Sequence, residues 1–430
     1  MVSRSKIVAG IDVGSSKIAT IIAQVTPGEE NINIIGASSI PSGGIRKGQI
    51  VNIEEASQKI IESVEAAERM AGYSINRVLV SVGGAHISSQ NSHGVVAVAE
   101  PEGEIAAQDV NRVLEAARAI SLPSSREILH VIPRAYTVDS QEGVADPVGM
   151  SGVRLEVETH IITGSTTSLR NLTKCVSEVG ADIESLVFSG VAAAKTVLSE
   201  TEKELGVVLA DIGGGTTSLV IFIEGSPVFT SVLPVGAKNV TNDLAIGLRI
   251  SLESAEKLKL ILGKKEKESS EKTEGKEEEK ESDEIDLSKL GIEELKSVSK
   301  KTVVEGIIKP RMNEIFTMIG EEIQKSGFAG MTPSGLVLCG GGALTIGAIE
   351  ACKRTLALPV RIGFPTGITG LIDDVDSPIF ATVVGLIIYG KNEDFPSQKF
   401  FLKGMGRIVK NIPVKGTFKK LIEVVKSFLP

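Results

Sequence analysis

The stretch LADIGGGTTSLVIF at 209–222 decides how this chain is read. Three consecutive glycines, Gly213, Gly214 and Gly215, separate two apolar, β-branched runs, with Asp211 ahead of them and Thr216 and Thr217 behind. Strand-like flanks on both sides predict a β-hairpin, not the strand-to-helix step of a dinucleotide or Walker loop. A hairpin tip without Cβ atoms can turn several backbone N–H groups toward whatever approaches it, and positive φ costs little there. A second stretch repeats the plan: VAGIDVGSSKIATII at 8–22 aligns with VVLADIGGGTTSLVI at 207–221, Asp12 over Asp211 and Gly14 over Gly213. Either turn by itself is equally an ordinary glycine-containing hairpin; two in register point to a duplicated unit.

The residues around the turns suit a phosphate chain. Asp12 and Asp211 would repel phosphate oxygens directly, so the workable arrangement is a shared Mg²⁺ held mostly through water. Ser15, Ser16, Thr216 and Thr217 add hydroxyl donors, and Lys17 can neutralise phosphate charge. A third cluster, CGGGALTIGAIEACK at 339–353, follows a strand pattern and precedes a helical one. Exposed N–H groups and the helix dipole at such a step favour a polar or anionic group. Three glycine sites on two related halves imply one nucleotide in the cleft between them.

Composition narrows the class. A chain of 430 residues with 42% hydrophobic content can bury two or three cores. A net charge of −8, no tryptophan and three tyrosines give neither a basic field nor stacking platforms, so no nucleic acid is expected as a partner. Cys175, Cys339 and Cys352 lack metal-ligand spacing and fit a reduced, cytosolic compartment. The longest apolar run, PIFATVVGLIIYG at 378–390, is too short to span a bilayer, and no signal-peptide pattern leads the chain. The expectation is a protein neither secreted nor transmembrane.

Periodicity sets the organisation. IEEASQKIIESVEAAERMAG at 53–72 reads as an amphipathic helix ending at Gly72, and NRVLVSVGG as a strand. Residues 84–162 mix strand-like runs with one helix around 108–120 and read as an inserted lobe. SLVFSGVAAAKTVLSE and VTNDLAIGLRISLESAEKLKLILG (240–263) each read as helical. After the second comes a run at 264–284 in which 6 lysines and 10 acids fill 16 of 21 positions, a solvated, disordered loop or an acidic interaction arm.

The two Asp-Gly turns, the third glycine motif and the connecting segments SLVFSGVAAAKTVL and PIFATVVGLIIYG resemble the nucleotide-binding set of the actin, DnaK and sugar-kinase superfamily. More narrowly, GIRKGQIVNIEEA, INRVLVSVGGAHISSQNSHGVV, ILHVIPRAYTVD, DPVGMSGVRLEVETHIITG and PVRIGFPTGITGL resemble the FtsA family of bacterial cell-division proteins. The likeness covers about residues 6–390.

It implies an α/β, actin-like two-domain fold: a duplicated ribonuclease-H-like core with an FtsA-type inserted subdomain and a C-terminal amphipathic helix. Domain I would comprise 1–83, 163–204 and 372–390, with 84–162 inserted. Domain II would comprise 205–243 and 311–371, with a small subdomain at 244–310. A linker at 391–414 and a membrane-targeting helix at 415–430 would complete the chain.

The ligand implied is ATP with Mg²⁺. Asp12, Gly14, Ser15, Ser16 and Lys17 would meet the phosphates from one side, and Asp211, Gly213, Gly214, Gly215, Thr216 and Thr217, with Gly236, from the other. Gly340, Gly341 and Gly342 would lie by the nucleoside, and Glu256 and Lys259, at i and i+3 on a helix, would reach the ribose and adenine. The lesser alternative for that pair is a solvent-facing ion pair. Partners implied are the FtsZ C-terminal peptide, docking near Arg311, further copies of the chain in actin-like filaments, other divisome proteins and an anionic membrane surface.

One departure bears on mechanism. The chaperone branch places Glu-Pro before the connecting helix, where the carboxylate positions the attacking water; here Ser189-Gly190 stands instead. A serine can hold water but is no strong base, so ATP is expected to be bound far more readily than hydrolysed.

The tail differs electrostatically from the rest. Residues 391–430 carry nine basic and three acidic side chains, a net +6 against −8 for the chain. In KGTFKKLIEVVKSFLP, Phe418, Leu421, Ile422, Val425, Phe428 and Leu429 fall within an arc of roughly 120° at about 100° per residue, with Lys419, Lys420 and Lys426 outside it. That pattern suits a helix lying in the headgroup plane of an anionic membrane. A sugar kinase would need no such tail, and forty residues cannot supply a chaperone's peptide-binding domain. A pilus-assembly adaptor shares the expected fold but is not expected to share the C-terminal helix. The reading is a membrane adaptor for FtsZ filaments at the cytoplasmic face of the division site.

Overall fold

Residues 5–29, 31–98, 103–271, 283–371 and 375–392 are described by the computed structural model. The first hairpin builds one sheet. Strands β1 (Lys6–Val13), β2 (Lys17–Val25) and β3 (Ile32–Pro41) form an antiparallel meander, β6 (Arg77–Val82) pairs parallel to β1, and β11 (Asp182–Phe188) pairs parallel to β6. The second hairpin builds another the same way. Strands β12 (Val207–Ile212), β13 (Thr217–Ile223) and β14 (Ser226–Leu233) form a meander, followed outward from β12 by parallel β17 (Leu336–Cys339) and β18 (Val360–Ile362). The order β3-β2-β1-β6-β11 thus recurs as β14-β13-β12-β17-β18, the duplicated core of an actin-like α/β fold.

Both sheets are covered on both faces, which is why their central strands read as nearly unbroken apolar runs. Helix α1 (Ile53–Ala71) covers one face of the first sheet. Asn52 caps its N-terminus by accepting from Glu55 N, and Gly72 ends it in the left-handed region at φ 63. It lies so close to β3 that a Cβ on Gly36 would stand 2.5 Å from Ala67 O. With it on this side packs α3 (Thr166–Ser177), capped by Ser165.

Between the two sheets lie α4 (Ser189–Val197), against β12 and β13, and α11 (Ala381–Asn392), against β1, β2 and β6. The two helices cross where a Cβ on Gly385 would stand 1.9 Å from Ala192 O. A capping box at Ser199 starts α5 (Glu200–Leu205), and Arg361 in β18 grips Glu202 there through two nitrogens.

The insertion has its own core. Strands β7 (Ser88–Ala97), β8 (Arg126–Val138), β9 (Gln141–Val144) and β10 (Arg154–Ser165) run in the order β7-β10-β8-β9, with α2 (Ala107–Arg118) burying Val113 and Ala117 against Tyr136, Leu155 and Val157. Arg126 fastens its base, donating to His86 O, Ser88 Oγ and Thr163 Oγ1. The lobe also touches the second sheet. Ser89 Oγ donates to Thr230 O and accepts from Thr230 N, while buried His160 spans Asn91 Oδ1 at 2.7 Å and Thr230 Oγ1 at 3.0 Å.

The remaining elements are the β4 (Ile45–Arg46) and β5 (Gln49–Ile50) hairpin, α6 (Ala237–Leu248), α7 (Leu252–Glu271), the β15 (Glu284–Asp286) and β16 (Ser297–Ser299) ribbon, α8 (Lys300–Val303), α9 (Lys309–Lys325) and α10 (Ala348–Leu356). A π-helical turn, Val304–Ile308, joins α8 to α9.

Four sequence expectations change. The helix expected over 240–263 is two, broken where Arg249 enters the left-handed region at φ 56. SLVF belongs to β11, so the connecting helix begins only at Ser189. The end of the second core, expected at 371, falls earlier: β19 (Ile368–Gly370) joins the first sheet, Ile368 pairing with Ile32. The charged run is not loop throughout, because the backbone of α7 stays helical through Glu271. Phe418, Leu421, Ile422, Val425, Phe428 and Leu429, with the whole expected linker and tail helix beyond Asn392, lie outside the described residues. No helix among the described residues is long and apolar enough to cross a membrane.

Candidate nucleotide-binding site

The two glycine turns are the same construction. Gly14 N donates to Lys17 O at 3.0 Å and Gly213 N to Thr216 O at 2.9 Å, closing turns of equal length. Asp12 and Asp211 stand on equivalent rungs, paired with Ala19 and Ser218, one step before each turn. On the neighbouring parallel strand, Ser81 Oγ donates to Asp12 Oδ1 at 2.7 Å, and Cys339 pairs beside Asp211. The turns also meet. A Cβ on Gly214 would lie 1.8 Å from Ser16 Oγ, and one on Gly215 would lie 3.0 Å from Ser15 Cβ. Glycine is therefore required at 214 by the opposing turn itself.

Among the described residues, the backbone amides of Ser15, Ser16, Gly214, Gly215 and Thr216 find no acceptor in the protein. Five unpaired donors converging from two turns fit a phosphate chain, because N–H groups so placed form an anion-binding concavity. Lys17 Nζ sits 3.4 Å from Asp12 Oδ2 and 5.0 Å from the Phe380 ring centre, held at the first turn. Thr382 Oγ1, from α11, donates to Asp211 Oδ2 at 3.1 Å.

Burial first, and the Asp12 carboxylate second, push the Asp211 carboxyl up to about 6. The same burial and the Asp211 charge raise the Cys339 thiol well above its ordinary range, so Cys339 is a neutral neighbour. A buried carboxyl whose ionisation is opposed by a neighbouring carboxylate fits a divalent cation. No group of three or more His, Cys, Asp or Glu side chains suited to a metal occurs among the described residues, and two carboxylates would suit an ion that keeps most of its water.

The third turn abuts the second. Gly340, at φ 77, lies where a Cβ would meet Asp211 Oδ1 at 2.3 Å, and a Cβ on Gly342 would meet Ile212 Cγ2 at 2.2 Å. Gly341 begins the short 3-10 turn that follows. Thr345 Oγ1 is buried beside it with no partner. Helix α7 packs on this turn, a Cβ on Gly263 falling 2.3 Å from Leu344 O, and carries Glu256 and Lys259 one side of it. Lys259 is 6% exposed, bonded to Glu256 Oε2 at 2.7 Å and to Thr241 Oγ1 at 2.9 Å. The pair is solvent-facing on its acidic side alone: the Glu256 side chain is 42% exposed, while the cation is enclosed between α6 and α7, where burial lowers the lysine pKa.

Two residues expected at the phosphates are engaged with the protein itself. Thr217 faces inward and donates its hydroxyl to Val235 O at 2.9 Å, so it is no turn donor. Gly236 is needed for packing, since a Cβ there would stand 2.4 Å from Gly213 O. Arg311, expected at a partner surface and not at the turns, grips Asp243 through Nε and Nη2 and pairs with Glu314. Ser189, at the start of α4, is buried and shares a 3.1 Å hydrogen bond with Ser218 Oγ. Ser81, Thr382 and Lys238 escaped the sequence reading. Ser81 could have been found from its rung beside Asp12, whereas Thr382 and Lys238 reach the site from helices far along the chain.

Comparison with known proteins agrees with this architecture. Residues 84–163 match a family model described as the SHS2 domain inserted in FtsA, and residues 208–385 match the model of the cell division protein FtsA. The chain is 37% identical over 411 residues to cell division protein FtsA of Pseudomonas aeruginosa, covering 94% of each, and 39% identical over 394 residues to that of Borreliella burgdorferi, covering 92% of each. Among solved structures, a PilM-PilN type IV pilus biogenesis complex superposes with a TM-score of 0.61 at 16% identity, covering 90% of this chain and 99% of that one. MreB 5 of Spiroplasma citri bound to AMPPNP gives a TM-score of 0.50 at 14% identity, covering 90% of this chain and 96% of that one. These two share the fold. With relatives above one-third identity along more than nine-tenths of its length, the chain belongs to the FtsA family of cell-division proteins.

Proposed function

We propose that this chain binds ATP with Mg²⁺ between its two glycine turns and, by its C-terminal segment, anchors FtsZ filaments to the inner face of the cytoplasmic membrane. The observation that carries the nucleotide reading is the convergence of five unpaired amides with Asp12 and Asp211 at turns of identical build. When bound, the cation would supply charge neutralisation between carboxylates and phosphates. Asp12 and Asp211 would orient its water shell; Lys17 would meet phosphate charge; Glu256 and Lys259 would face the nucleoside from α7.

The chain's own groups do not favour rapid hydrolysis. Ser189 is bonded to another hydroxyl, not to a carboxylate, so neither serine gains basicity from its partner. ATP acts here as a clamp across the cleft, binding differently to open and closed arrangements of the two halves. Membership of the cell-division family supports FtsZ and divisome partners, with the FtsZ peptide docking near Arg311, and the amphipathic pattern at 415–430 supports a peripheral membrane site. Cosedimentation of the purified chain with anionic liposomes, with and without ATP and FtsZ, tests the whole reading. FtsZ pelleting only when both the chain and liposomes are present is the expected result; FtsZ remaining in the supernatant refutes the anchor.

A further inference from the structure

Two cations at the cleft are matched by carboxylates: Lys17 by Asp12, and Lys259 by Glu256. Lys238 is placed differently. Its backbone belongs to the second turn, because Lys238 N donates to Gly214 O at 2.8 Å and Ala237 N to Gly213 O at 2.9 Å. Its side chain belongs to the first. The stem runs past Gly214, with Cγ 3.7 Å from where a Cβ there would be, and Nζ donates to Ser15 O at 2.6 Å. One exposed lysine thus bolts the two turns together, and its acceptor is a neutral carbonyl.

A carbonyl offers an ammonium only a dipole, whereas a phosphate oxygen adds the Coulomb attraction of a net negative charge, so the phosphate is the stronger acceptor. The location along the phosphate chain follows from packing. The third glycine turn lies against Asp211 and Ile212, just short of the second hairpin's tip on the β17 side, and α7 with Glu256 and Lys259 packs beside it. The nucleoside end belongs there. Phosphates running from that end toward the unpaired amides reach the hairpin tips last, where Ser16 meets Gly214 and Lys238 meets Ser15.

We propose that Lys238 is a positioning residue for the terminal phosphate: its ammonium exchanges the Ser15 carbonyl for the third phosphate of a bound nucleoside triphosphate, so that closure of the two turns differs between triphosphate and diphosphate. This rests on the nucleotide reading of the cleft. The charge acts by direct contact and requires no titration. Arginine could keep the charge but not the reach and compactness of a single ammonium, so K238R separates charge from geometry.

Calorimetric titration of Mg-ATP and Mg-ADP into the full chain, as wild type, K238M and K238R, tests the proposal. In K238M, ATP affinity falls by about tenfold or more while ADP affinity changes by less than about threefold, the signature of losing a charge-assisted bond to one phosphate only; K238R falls between. Unchanged ATP affinity in K238M overturns the proposal and leaves the nucleotide site standing. Equal losses for both nucleotides also overturn it, reducing Lys238 to a bolt between turns. Wild-type chain that binds neither nucleotide overturns the nucleotide reading itself, and this proposal with it. Amide exchange supplies a readout free of nucleotide: in K238M the Gly14 and Ser42 amides, bonded to Lys17 O and Ser16 O on the first turn, exchange faster than in wild type, and unchanged exchange refutes the bolt.

Discussion

Ser16 and Gly214 occupy each other's side-chain space: the Ser16 hydroxyl lies 1.8 Å from where a Cβ on Gly214 would stand. Each belongs to a different half of the duplicated core, so the closed position of the halves depends on one missing methyl group. Gly214→Ala is expected to separate the turns and lower stability by about 1 to 3 kcal/mol, the range for overpacking. Ser16→Gly in the same chain should restore it, removing both the Oγ at 1.8 Å and the Cβ at 2.8 Å. Thermal melts of the single and double variants check this; failure of the second change to rescue would place the strain elsewhere.

Asp12→Ala and Asp211→Ala are each expected to weaken Mg-ATP binding by at least about tenfold, because each removes one of the two carboxylates that would hold the hydrated ion. Titration with ATP in Mg²⁺ and in EDTA separates metal from nucleotide. Equal affinity in both mutants and in wild type would dismiss the assignment.

Asp211 also makes a pH prediction. Its folded carboxyl is raised to about 6 from 3.8, so the native state holds this proton more tightly than the unfolded chain does. Ionisation therefore costs stability as pH rises from the unfolded value through about 6, and the cost is relieved as pH falls. In the absence of Mg²⁺, Asp211→Asn should be more stable than wild type at pH 7.5 by about 1 to 3 kcal/mol, with the gap closing below pH about 4. Denaturant melts across that range measure it.

The junction of the inserted lobe behaves in the opposite sense. Burial, chiefly, holds His160 at about 3, with Arg134 and His130 adding repulsion, and burial alone holds His130 at about 4. Both are neutral when folded and protonate first in the unfolded chain. Their contribution is complete above pH 6.5 and is lost as pH falls from there toward 4 and 3. His160→Gln is expected to flatten the acid limb by about 1.4 kcal/mol per pH unit. An unchanged slope would show that His160 is not buried in solution.

The tail prediction uses sequence alone. Six apolar side chains on one arc would each contribute at most about 1.5 to 3 kcal/mol on full burial, and ordering the helix offsets much of that at about 1 to 2 kcal/mol per residue. One copy should bind reversibly and a polymer persistently. Phe418→Glu together with Val425→Glu should leave liposomes while ATP and FtsZ binding persist. Flotation of the double mutant would exclude this helix as anchor; loss of ATP binding would show the tail to be part of the folded body.

What could be read from sequence is what local pattern controls. The two hairpins were legible because strand, aspartate and glycine recur at the same spacing, and α1 because its cap and its Gly72 stop agree with its periodicity. The break at Arg249 was not, since an arginine in the left-handed region leaves no compositional mark. Thr217 was misjudged by one position: adjacency put it on the turn, but strand alternation turns it inward to Val235. Nor could β19 be assigned, because its partner β3 lies at the other end of the chain. Lys238 was missed for the same reason, its acceptor standing 223 positions away.

The crossing of α4 and α11 has a mechanical meaning. Where Gly385 lies against the Ala192 carbonyl there is no room even for a methyl group, so α4 and α11 pivot about that point more readily than they slide past each other. Such a contact is a fulcrum. Displacement about a fulcrum grows with radius, so a rotation too small to disturb that crossing is magnified toward the periphery, where the lobe reaches β14 through Ser89, Asn91 and His160.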